Sequence, residues 1–426
     1  MKFGTDGIRG VADGTMTVAA LKLGNALGRD GKSVFVGRDT RPSGATILSA
    51  FAAGVIRAGG RMIDLGIIPT AGVAYATAKG CGDYGVVISA SHNPEEYNGL
   101  KVFDGSGYKL GDKREQLIGE AMDKDMCGDY TGVFVQDKVY AQSYIDALVS
   151  AGKDLSGMRI LLDCANGAAY RMAPEVFKRL GAAVTCVGVN PDDGINCGCG
   201  STFSHTLKER CGGAEWDIAF TFDGDSDRLI AVDETGDIID GDRIMYYIAC
   251  RWAAKGILVP KIAVGTVLSN TGTEQAFIKQ GVEFLRSNVG DKYVMDMMKE
   301  SGAPIGGEQS GHIILAPLST TGDGILSAVV FASLLKEHGI KASEAGVYPL
   351  YPQISESVIV YDKDAVISSD KLRELKENWT AKLGGGRVLV RASGTEPKIR
   401  VMAECMDLEL AKACVKEIAD MCIKIG

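Results

Sequence analysis

Three carboxylates alternate with small residues in the segment Asp223-Gly-Asp225-Ser-Asp227, directly after the apolar run that ends at Phe222. At a separation of about 4 Å, two like charges near a protein surface repel each other by roughly 4 kcal/mol. A cation relieves that repulsion, and a set of carboxylate oxygens suits Mg²⁺ or Ca²⁺. Arg228 stands where a calcium-binding EF-hand loop requires glycine, so that motif is excluded. We therefore predict a divalent metal site here, with a solvated acidic turn as the alternative.

A second candidate is Ser91, in the loop that follows another apolar strand. Asn93, Pro94 and Glu96 have the form of a helix start, with a cap, a first-turn proline and a capping-box glutamate. This pattern predicts Ser91 just before a helix N-terminus, where free N–H groups favour an anion such as phosphate. The alternative is that Ser91 is only a turn residue. A catalytic pair of Ser91 and His92 is disfavoured, because adjacent side chains at a strand end point to opposite sides.

The segment Gly306-Gly-Glu308-Gln-Ser310-Gly-His312 places polar side chains beside an apolar stretch. Glu308 is a hydrogen-bond acceptor and Ser310 is both donor and acceptor, which suits recognition of hydroxyl groups. His312 is one of only four histidines, and it is a candidate for acid–base chemistry or for contact with a phosphate. A purely structural histidine is the alternative.

A fourth loop, between two predicted strands near the C-terminus, has the composition of a phosphate site. Two guanidinium groups, two hydroxyls and a glycine amide are suitable donors for phosphate oxygens. These candidate residues are Arg391, Ser393, Gly394, Thr395 and Arg400. An ordinary hairpin with surface arginines is the alternative, but a local positive pocket on an acidic chain favours phosphate binding.

The elements that must position these loops alternate between strands and helices, which indicates sheets covered by helices. Three strand–helix pairs are predicted: Ser33–Gly37 with Ala45–Ala58, Met158–Asp163 with Ala173–Leu180, and Lys261–Thr266 with Thr271–Gln280. The last segment instead reads as an α+β unit, with strands Glu356–Tyr361, Arg387–Ala392 and Lys398–Glu404 and helices Ser368–Leu383 and Glu409–Ile423. The fold class is therefore α/β with a smaller C-terminal α+β domain.

Composition excludes several classes of protein. The 426 residues carry 46 Lys and Arg against 54 Asp and Glu, a net charge of −8 that argues against a nucleic-acid binder. The longest apolar stretch is too short to cross a membrane, and the N-terminus lacks the apolar region of a signal peptide. Eleven scattered cysteines are typical of free thiols in a reducing compartment. We expect a cytoplasmic protein without nucleic-acid or membrane partners.

Taken together, these segments resemble the α-D-phosphohexomutase family. The likeness rests on FGTDGIRG at the N-terminus, the serine and aspartate loops, GGEQSGHII, TTGDGI and VRASGTEPKIRVM, and it covers essentially the whole chain. It is strongest to members that act on glucosamine phosphates. The resemblance implies four domains around a central cleft, three of related mixed-sheet α/β topology and one smaller. We expect them at residues 1–150, 151–248, 249–352 and 353–426, each with one of the four loops.

The resemblance also implies a role for each candidate residue. Ser91 looks like the phosphorylated serine, and Asp223, Asp225 and Asp227 look like Mg²⁺ ligands, with the phosphate on Ser91 as a further ligand. The basic residues near the transferred phosphate would be Arg9, Lys101 and Arg228. Glu308 and Ser310 match the contacts to sugar hydroxyls, and the C-terminal loop matches the site for the other phosphate of the substrate. Lys101 and His312 are candidates for the general base.

The implied activity is that of an isomerase that interconverts glucosamine 6-phosphate and glucosamine 1-phosphate through a 1,6-bisphosphate. Such an enzyme contributes to UDP-N-acetylglucosamine and cell-wall precursor synthesis. It needs a kinase or a sugar bisphosphate primer for its first phosphorylation, and a homodimer is expected. The alternatives are a phosphomannomutase or phosphoglucomutase, a metal-dependent phosphatase with Asp223 or Asp225 as nucleophile, and a non-catalytic sugar-phosphate binder.

Two positions depart from the family pattern. Ser226 stands where glycine is common, and its small side chain is expected to be tolerated. Asn288 stands where relatives usually carry lysine, which puts a substrate contact in doubt, with Lys292 as a candidate substitute.

Overall fold

The computed structural model describes Gly4 and residues 7–210, 212, 215–393 and 397–426. They belong to two compact units, one built from residues 1–266 and 285–347 and the other from residues 267–284 and 348–426. Across the described ranges, no helix is long and apolar enough to span a membrane.

A six-stranded mixed sheet organises the N-terminal region. Its strands are β1 (Ile8–Val11), β2 (Ser33–Arg38), β3 (Arg61–Ile67), β4 (Tyr84–Ile88), β5 (Tyr97–Asp104) and β6 (Val133–Gln136). Their spatial order is β1-β5-β4-β2-β3-β6, and only the two pairs that involve β5 are antiparallel. The helices are α1 (Gly14–Leu27), α2 (Gly44–Arg57), α3 (Thr70–Lys79), α4 (Asp112–Met122) and α5 (Val139–Ala151).

Helices α1 and α2 approach each other closely because glycines stand where they meet. A Cβ atom on Gly24 would lie 2.1 Å from the carbonyl oxygen of Phe51, and one on Gly54 would lie 2.1 Å from that of Leu21. Both contacts are with backbone atoms, so no side-chain movement would relieve them. The two helices share one apolar core with β2 and β4, which fixes the strand ends that carry the serine loop.

The second sheet carries the aspartate loop. Its strands are β7 (Arg159–Asp163), β8 (Ala183–Val187), β9 (Ile218–Phe222), β10 (Leu229–Asp233) and β11 (Ile238–Ile239), in the order β11-β10-β9-β7-β8. The pairs that β7 forms with β8 and β9 are parallel, whereas β9–β10 and β10–β11 are antiparallel. Two helices belong to this region, α6 (Ala169–Arg179) and α7 (Leu207–Arg210). The aspartate loop is thus the turn of the β9–β10 hairpin.

A four-stranded sheet follows, with α8 (Gly241–Ala254), β12 (Ile262–Thr266), α9 (Thr271–Lys279), β13 (Glu283–Ser287), α10 (Asp291–Ser301), β14 (Ile305–Gly307), β15 (Ile313–Leu315) and α11 (Gly324–His338). The strand order is β13-β12-β14-β15, with β12–β14 parallel and β14–β15 antiparallel. The longest apolar stretch of the sequence lies in α11, where every residue from Gly324 to Leu335 is buried.

The C-terminal region is a three-stranded antiparallel sheet with three helices. Its elements are β16 (Gln353–Ile359), α12 (Lys363–Ile367), α13 (Asp370–Lys382), β17 (Arg387–Ala392), β18 (Lys398–Glu404) and α14 (Leu408–Ile425), with β18 between β16 and β17. Within the second unit α9 packs with this sheet, since the buried Glu404 carboxylate accepts a hydrogen bond of 2.5 Å from the Thr271 amide.

The predicted fold class is confirmed: mixed α/β sheets are followed by a small α+β domain. One predicted element is wrong. No helix follows Asn93, because residues 91–96 form a turn and the chain then enters β5. Two helices are shifted: that predicted over Ala173–Leu180 begins earlier, at Ala169, and that predicted from Ser368 begins at Asp370.

Candidate active site

The aspartate loop gathers its three carboxylates in a buried position. One oxygen from each of Asp223, Asp225 and Asp227 lies within 4.8 Å of the others. Each of the three residues is at most 3% exposed. The loop turns sharply at Ser226, whose φ of +61° is a left-handed conformation that favours glycine. A serine in this conformation costs about 1–2 kcal/mol.

The electrostatics of this cluster favour an added cation. Burial, together with the charges of Asp227 and Asp225, raises the pKa of Asp223 to about 8. Asp225 Oδ1 and Asp227 Oδ1 are buried and accept no hydrogen bond from any described residue. Buried carboxylate oxygens that converge in this way fit a divalent ion that prefers oxygen ligands. The aspartate cluster can therefore bind a metal ion.

Lys101, on β5, supplies one positive charge to the cluster. Its Nζ donates hydrogen bonds of 2.8 Å to Asp225 Oδ2 and to Asp227 Oδ2. Burial alone would raise the pKa of Asp227, but the charges of Lys101 and His312 hold that pKa well below its usual value. Thr70 also donates to Asp225 Oδ2, at 2.6 Å, and sequence reasoning missed this residue. The lysine thus bridges two of the three carboxylates.

Ser91 lies directly against this cluster. Its Oγ donates a hydrogen bond of 2.5 Å to Asp223 Oδ2, across 132 positions of sequence. The residue is 1% exposed and its φ is +54°, a strained conformation for serine that costs about 1–2 kcal/mol. The structure therefore places the predicted phosphoserine and the predicted metal ligands together, on a turn rather than at a helix N-terminus.

His92 contacts Ser91, contrary to the expectation from strand alternation. Ser91 Oγ and His92 Nδ1 are 3.2 Å apart, because the left-handed backbone at Ser91 interrupts the alternation of side chains. Burial, aided by the charges of Arg228 and Arg9, lowers the pKa of His92 to about 4. The imidazole beside the serine is therefore neutral at neutral pH.

Arg9 and Arg228 flank the same loop. Arg9 lies on β1, opposite Gly99 of β5, and its charge acts on His92. Arg228 follows the aspartates, and its backbone N–H donates to Asp223 Oδ1 at 3.1 Å. The charges of both predicted basic residues therefore act on His92, the neighbour of Ser91.

His312 approaches the cluster from the β14–β15 hairpin. Its Nδ1 lies 3.7 Å from Asp227 Oδ1, and its Nε2 lies 3.6 Å from Asp291 Oδ2. Although burial opposes the shift, Asp227 raises the pKa of His312. The ring packs against Gly322, where a Cβ atom would lie 2.4 Å from imidazole atoms. His312 thus contacts an aspartate rather than Ser91.

The same hairpin carries Glu308 and Ser310. Glu308 is half-buried and Ser310 is exposed. The Glu308 carboxylate accepts a hydrogen bond of 3.1 Å from the amide of Gly290, which joins it to the loop that contains the exposed Asn288. Lys292 is engaged elsewhere, since its Nζ pairs with Asp112 and Glu115 of the N-terminal region. These ion pairs argue against Lys292 as the substitute for a lysine at position 288.

The C-terminal loop, considered within its own unit, brings two arginines face to face. Arg391 on β17 and Arg400 on β18 are directly opposed in the strand register. Burial and the charge of Arg400 lower the pKa of Arg391. Ser393 is buried, and its carbonyl accepts a hydrogen bond of 2.7 Å from Lys363 Nζ, a third cation that sequence reasoning missed. Like charges in direct opposition repel, and a bound anion relieves that repulsion. The other two predicted members, Gly394 and Thr395, lie outside the described residues.

Sequence reasoning missed a buried polar frame behind Ser91. Arg41 and Asp39, at the end of β2, and Asn196 all contact the serine loop or its supports. The available signal was an aspartate and an arginine two positions apart, directly after an apolar strand.

Comparison with known proteins identifies the chain's relatives. Models of the phosphoglucomutase/phosphomannomutase family match in order: α/β/α domain I over residues 1–127, domain II over 142–236, domain III over 240–349 and the C-terminal domain over 359–421. A phosphoglucosamine mutase from Symbiobacterium thermophilum is 43% identical, over 98% of each chain. Another from Streptococcus gordonii is also 43% identical, over 98% of this chain and 97% of its own.

Solved structures share the fold. A phosphoglucomutase/phosphomannomutase family protein from Burkholderia thailandensis has a TM-score of 0.82 at 23% identity, covering 99% of this chain and 96% of its own. Aspergillus fumigatus N-acetylphosphoglucosamine mutase, in complex with GlcNAc-6P and magnesium, has a TM-score of 0.72 at 19% identity, covering 100% and 96%. With all four domain models matched in order, the chain belongs to the phosphoglucomutase/phosphomannomutase family and is a phosphohexomutase.

Proposed function

We propose that this chain is a phosphoglucosamine mutase, which interconverts glucosamine 6-phosphate and glucosamine 1-phosphate through glucosamine 1,6-bisphosphate. The observation that carries the proposal is the 2.5 Å hydrogen bond from Ser91 Oγ to Asp223 Oδ2. Phosphoryl transfer depends on positioning beside charge-stabilising groups, and this contact supports such an arrangement. The substrate class comes from relatives that are 43% identical over nearly their whole length and carry that name.

Asp223, Asp225 and Asp227 would hold Mg²⁺, with the phosphate on Ser91 as a further ligand. When bound, Mg²⁺ would offset the phosphoserine charge of about −1.5 to −2 and polarise the phosphoryl group. The converging buried oxygens of Asp225 and Asp227 support this assignment. Arg9 and Arg228 would add positive charge where negative charge develops on the transferring group.

Ser91 would give its phosphoryl group to the sugar O1 and receive the 6-phosphate after the bisphosphate has reoriented. Two groups are in reach of the proton of the Ser91 hydroxyl, namely Asp223 Oδ2, which accepts it in a hydrogen bond of 2.5 Å, and the neutral His92 Nδ1 at 3.2 Å. Lys101 and His312 contact aspartates instead, so they stay candidates only for the proton of the sugar hydroxyl.

The two other loops would hold the substrate. Glu308 and Ser310 would bind sugar hydroxyls, and Arg391, Ser393 and Arg400 would bind the phosphate that is not being transferred. The opposed arginines support the second assignment, because a phosphate bound beside them would offset the repulsion between their charges. Activation by a kinase or by a bisphosphate primer, a homodimer and a cytoplasmic location stay predictions from the sequence, as do the domain boundaries.

The decisive experiment measures mutase turnover with glucosamine 1,6-bisphosphate as primer and Mg²⁺ present. We expect turnover on glucosamine 6-phosphate to exceed that on glucose and mannose 6-phosphates, and Ser91→Ala to abolish it. The matched control is Ser150→Ala, which removes an exposed hydroxyl from α5 and should leave turnover unchanged. A Ser91→Ala variant with the parent's rate would contradict the proposed role of the serine.

The same assay separates the other candidate activities. Preference for glucose or mannose phosphate would assign the chain to another mutase of this family. A phosphatase that used Asp223 or Asp225 would release free phosphate stoichiometrically and would not need Ser91. A non-catalytic binder would retain the sugar phosphate without turnover even when Mg²⁺ and primer are supplied.

A further inference from the structure

Arg41 uses its whole guanidinium group to hold the serine loop. The side chain is buried, and all five of its N–H donors have partners. The Nε group donates to Asp39 Oδ2 at 3.0 Å. The four remaining donors all reach backbone carbonyls of the serine loop, those of Ser91, Asn93, Pro94 and Tyr97. No other side chain could offer five donors in one plane.

The backbone of Ser91 is fixed from both of its sides. Its N–H donates a hydrogen bond of 2.8 Å to Ser89 Oγ, and that hydroxyl donates at 2.6 Å to the same Asp39 oxygen that pairs with Arg41. Its carbonyl accepts from Arg41 Nη2 and from Asn196 Nδ2, both at 2.9 Å. These contacts hold both the N–H and the C=O of Ser91, whose backbone has the left-handed conformation.

We propose that Arg41 is the positioning residue of the phosphoryl-transfer serine, which it keeps in the strained conformation that directs Oγ toward Asp223. Without the guanidinium, Ser91 relaxes to ordinary backbone angles and its hydroxyl leaves the aspartate cluster. All five donors of Arg41 are occupied by Asp39 and by backbone carbonyls, so it acts through Ser91. The inference rests on the proposed function, since it presumes that Ser91 carries the phosphoryl group.

The position of Arg41 predicts a specific kinetic signature. Misplacement of a reacting group by about 1 Å can lower a rate by about 100-fold. We therefore expect Arg41→Lys to lower kcat by about 100-fold, because lysine has three donors and cannot reach all five acceptors. KM should stay near the parent's value, since the sugar and phosphate contacts lie on other loops. The rate at which the bisphosphate phosphorylates Ser91, followed by intact mass, should fall in parallel with kcat.

Arg210 provides a matched control. Its Nη2 pairs at 2.5 Å with the buried Asp163 and also reaches the carbonyl of Phe203, so it too holds a loop through a carboxylate and a carbonyl. Arg210→Lys should lower the melting temperature while leaving kcat and Ser91 phosphorylation near the parent's. In the alanine variants, guanidinium ion far below its denaturing concentration should restore turnover to Arg41→Ala and give no gain with Arg210→Ala.

Ser89→Ala tests the same frame with a smaller change. It removes the acceptor of the Ser91 amide, and we expect kcat to fall about tenfold, the equivalent of one neutral hydrogen bond. If Arg41→Lys does not fold, the kcat of Ser89→Ala becomes the test of the inference. Parent-like kcat in the folded Arg41→Lys variant, or in Ser89→Ala when Arg41→Lys is unfolded, would overturn the inference. A wild-type chain without turnover or phosphoserine would instead refute the proposed function, and this inference with it.

Discussion

Replacement of Lys101 by methionine measures how strongly the aspartate cluster depends on a positive charge. The lysine side chain is 2% exposed, and its Nζ lies 2.8 Å from carboxylate oxygens of both Asp225 and Asp227. Methionine is unbranched, flexible and uncharged, so Lys101→Met removes both ion pairs while it fills much of the same space.

The magnitude follows from burial. Removal of one partner of a buried ion pair costs about 3–5 kcal/mol, because the other charge stays buried and unpaired. We therefore expect Lys101→Met to lose about that much free energy of unfolding in metal-free buffer. Mg²⁺ replaces the missing charge, and at about 100 times its dissociation constant a bound ligand stabilises the folded state by about 2.7 kcal/mol. The variant cluster carries one more net negative charge, so Mg²⁺ should stabilise the variant more than the parent.

Urea unfolding in EDTA and in Mg²⁺ gives both values, with the fluorescence of Trp216, in the core of the aspartate-loop sheet, as the signal. The matched control is Lys255→Met. Lys255 pairs with Glu337 at 2.6 Å at the surface, with side chains 34% and 39% exposed, and such a pair contributes about 0–1 kcal/mol. The reasoning is refuted if Lys101→Met loses no more than this control, or if Mg²⁺ stabilises it no more than the parent.

Three further predictions concern packing and protonation. Burial raises the pKa of Asp323 from 3.8 to about 6, so the folded parent should lose about 2–3 kcal/mol of unfolding free energy as the pH rises from 3.8 to 6. Urea titrations at pH 4 and pH 7 measure this loss, and Asp323→Asn should remove it. An unchanged pH dependence would contradict it. Gly322→Ala should displace the ring of His312 and lower kcat at least tenfold, and histidine NMR shifts should report the displacement. A variant with the parent's NMR shifts and the parent's kcat would disprove this contact. Gly24→Ala should lower the free energy of unfolding by about 1–3 kcal/mol, because α1 and α2 meet there through backbone atoms. Gly14→Ala is the control, since a Cβ at Gly14 would meet open space. Equal melting temperatures for the two variants would refute the packing argument.

Local patterns predicted most of the elements. Strands β17 and β18 have the bounds that their apolar runs and flanking turn residues indicated. The helix predicted after Asn93 fails because the same residue types begin helices and form turns. Here the pairing of β5 with β4 and β1 takes the chain into a sheet, and that pairing depends on distant residues.

In the candidate site, too, local sequence indicates some features and contacts between distant residues decide the others. The sequence indicated Ser91 and the three aspartates from their composition, and it suggested Lys292 as a substitute cation. Only the fold brings Asp112 and Glu115 to Lys292 and so engages its charge elsewhere. Likewise, the pair Asp39 and Arg41 after an apolar strand is visible in the sequence, but only the fold shows that this guanidinium binds carbonyls about 50 residues further along the chain.

The sequence by itself therefore determined which chemical groups this protein brings to phosphoryl transfer, because motif composition limits what each loop can bind. The tertiary structure decided which of those groups act on one another. Whether an imidazole is neutral, a lysine bridges two carboxylates or a serine is held in a left-handed turn depends on burial and on charges from other strands. Burial and neighbouring charges depend on the positions of residues in three dimensions, and strands that are far apart in the chain supply them only when the sheets form.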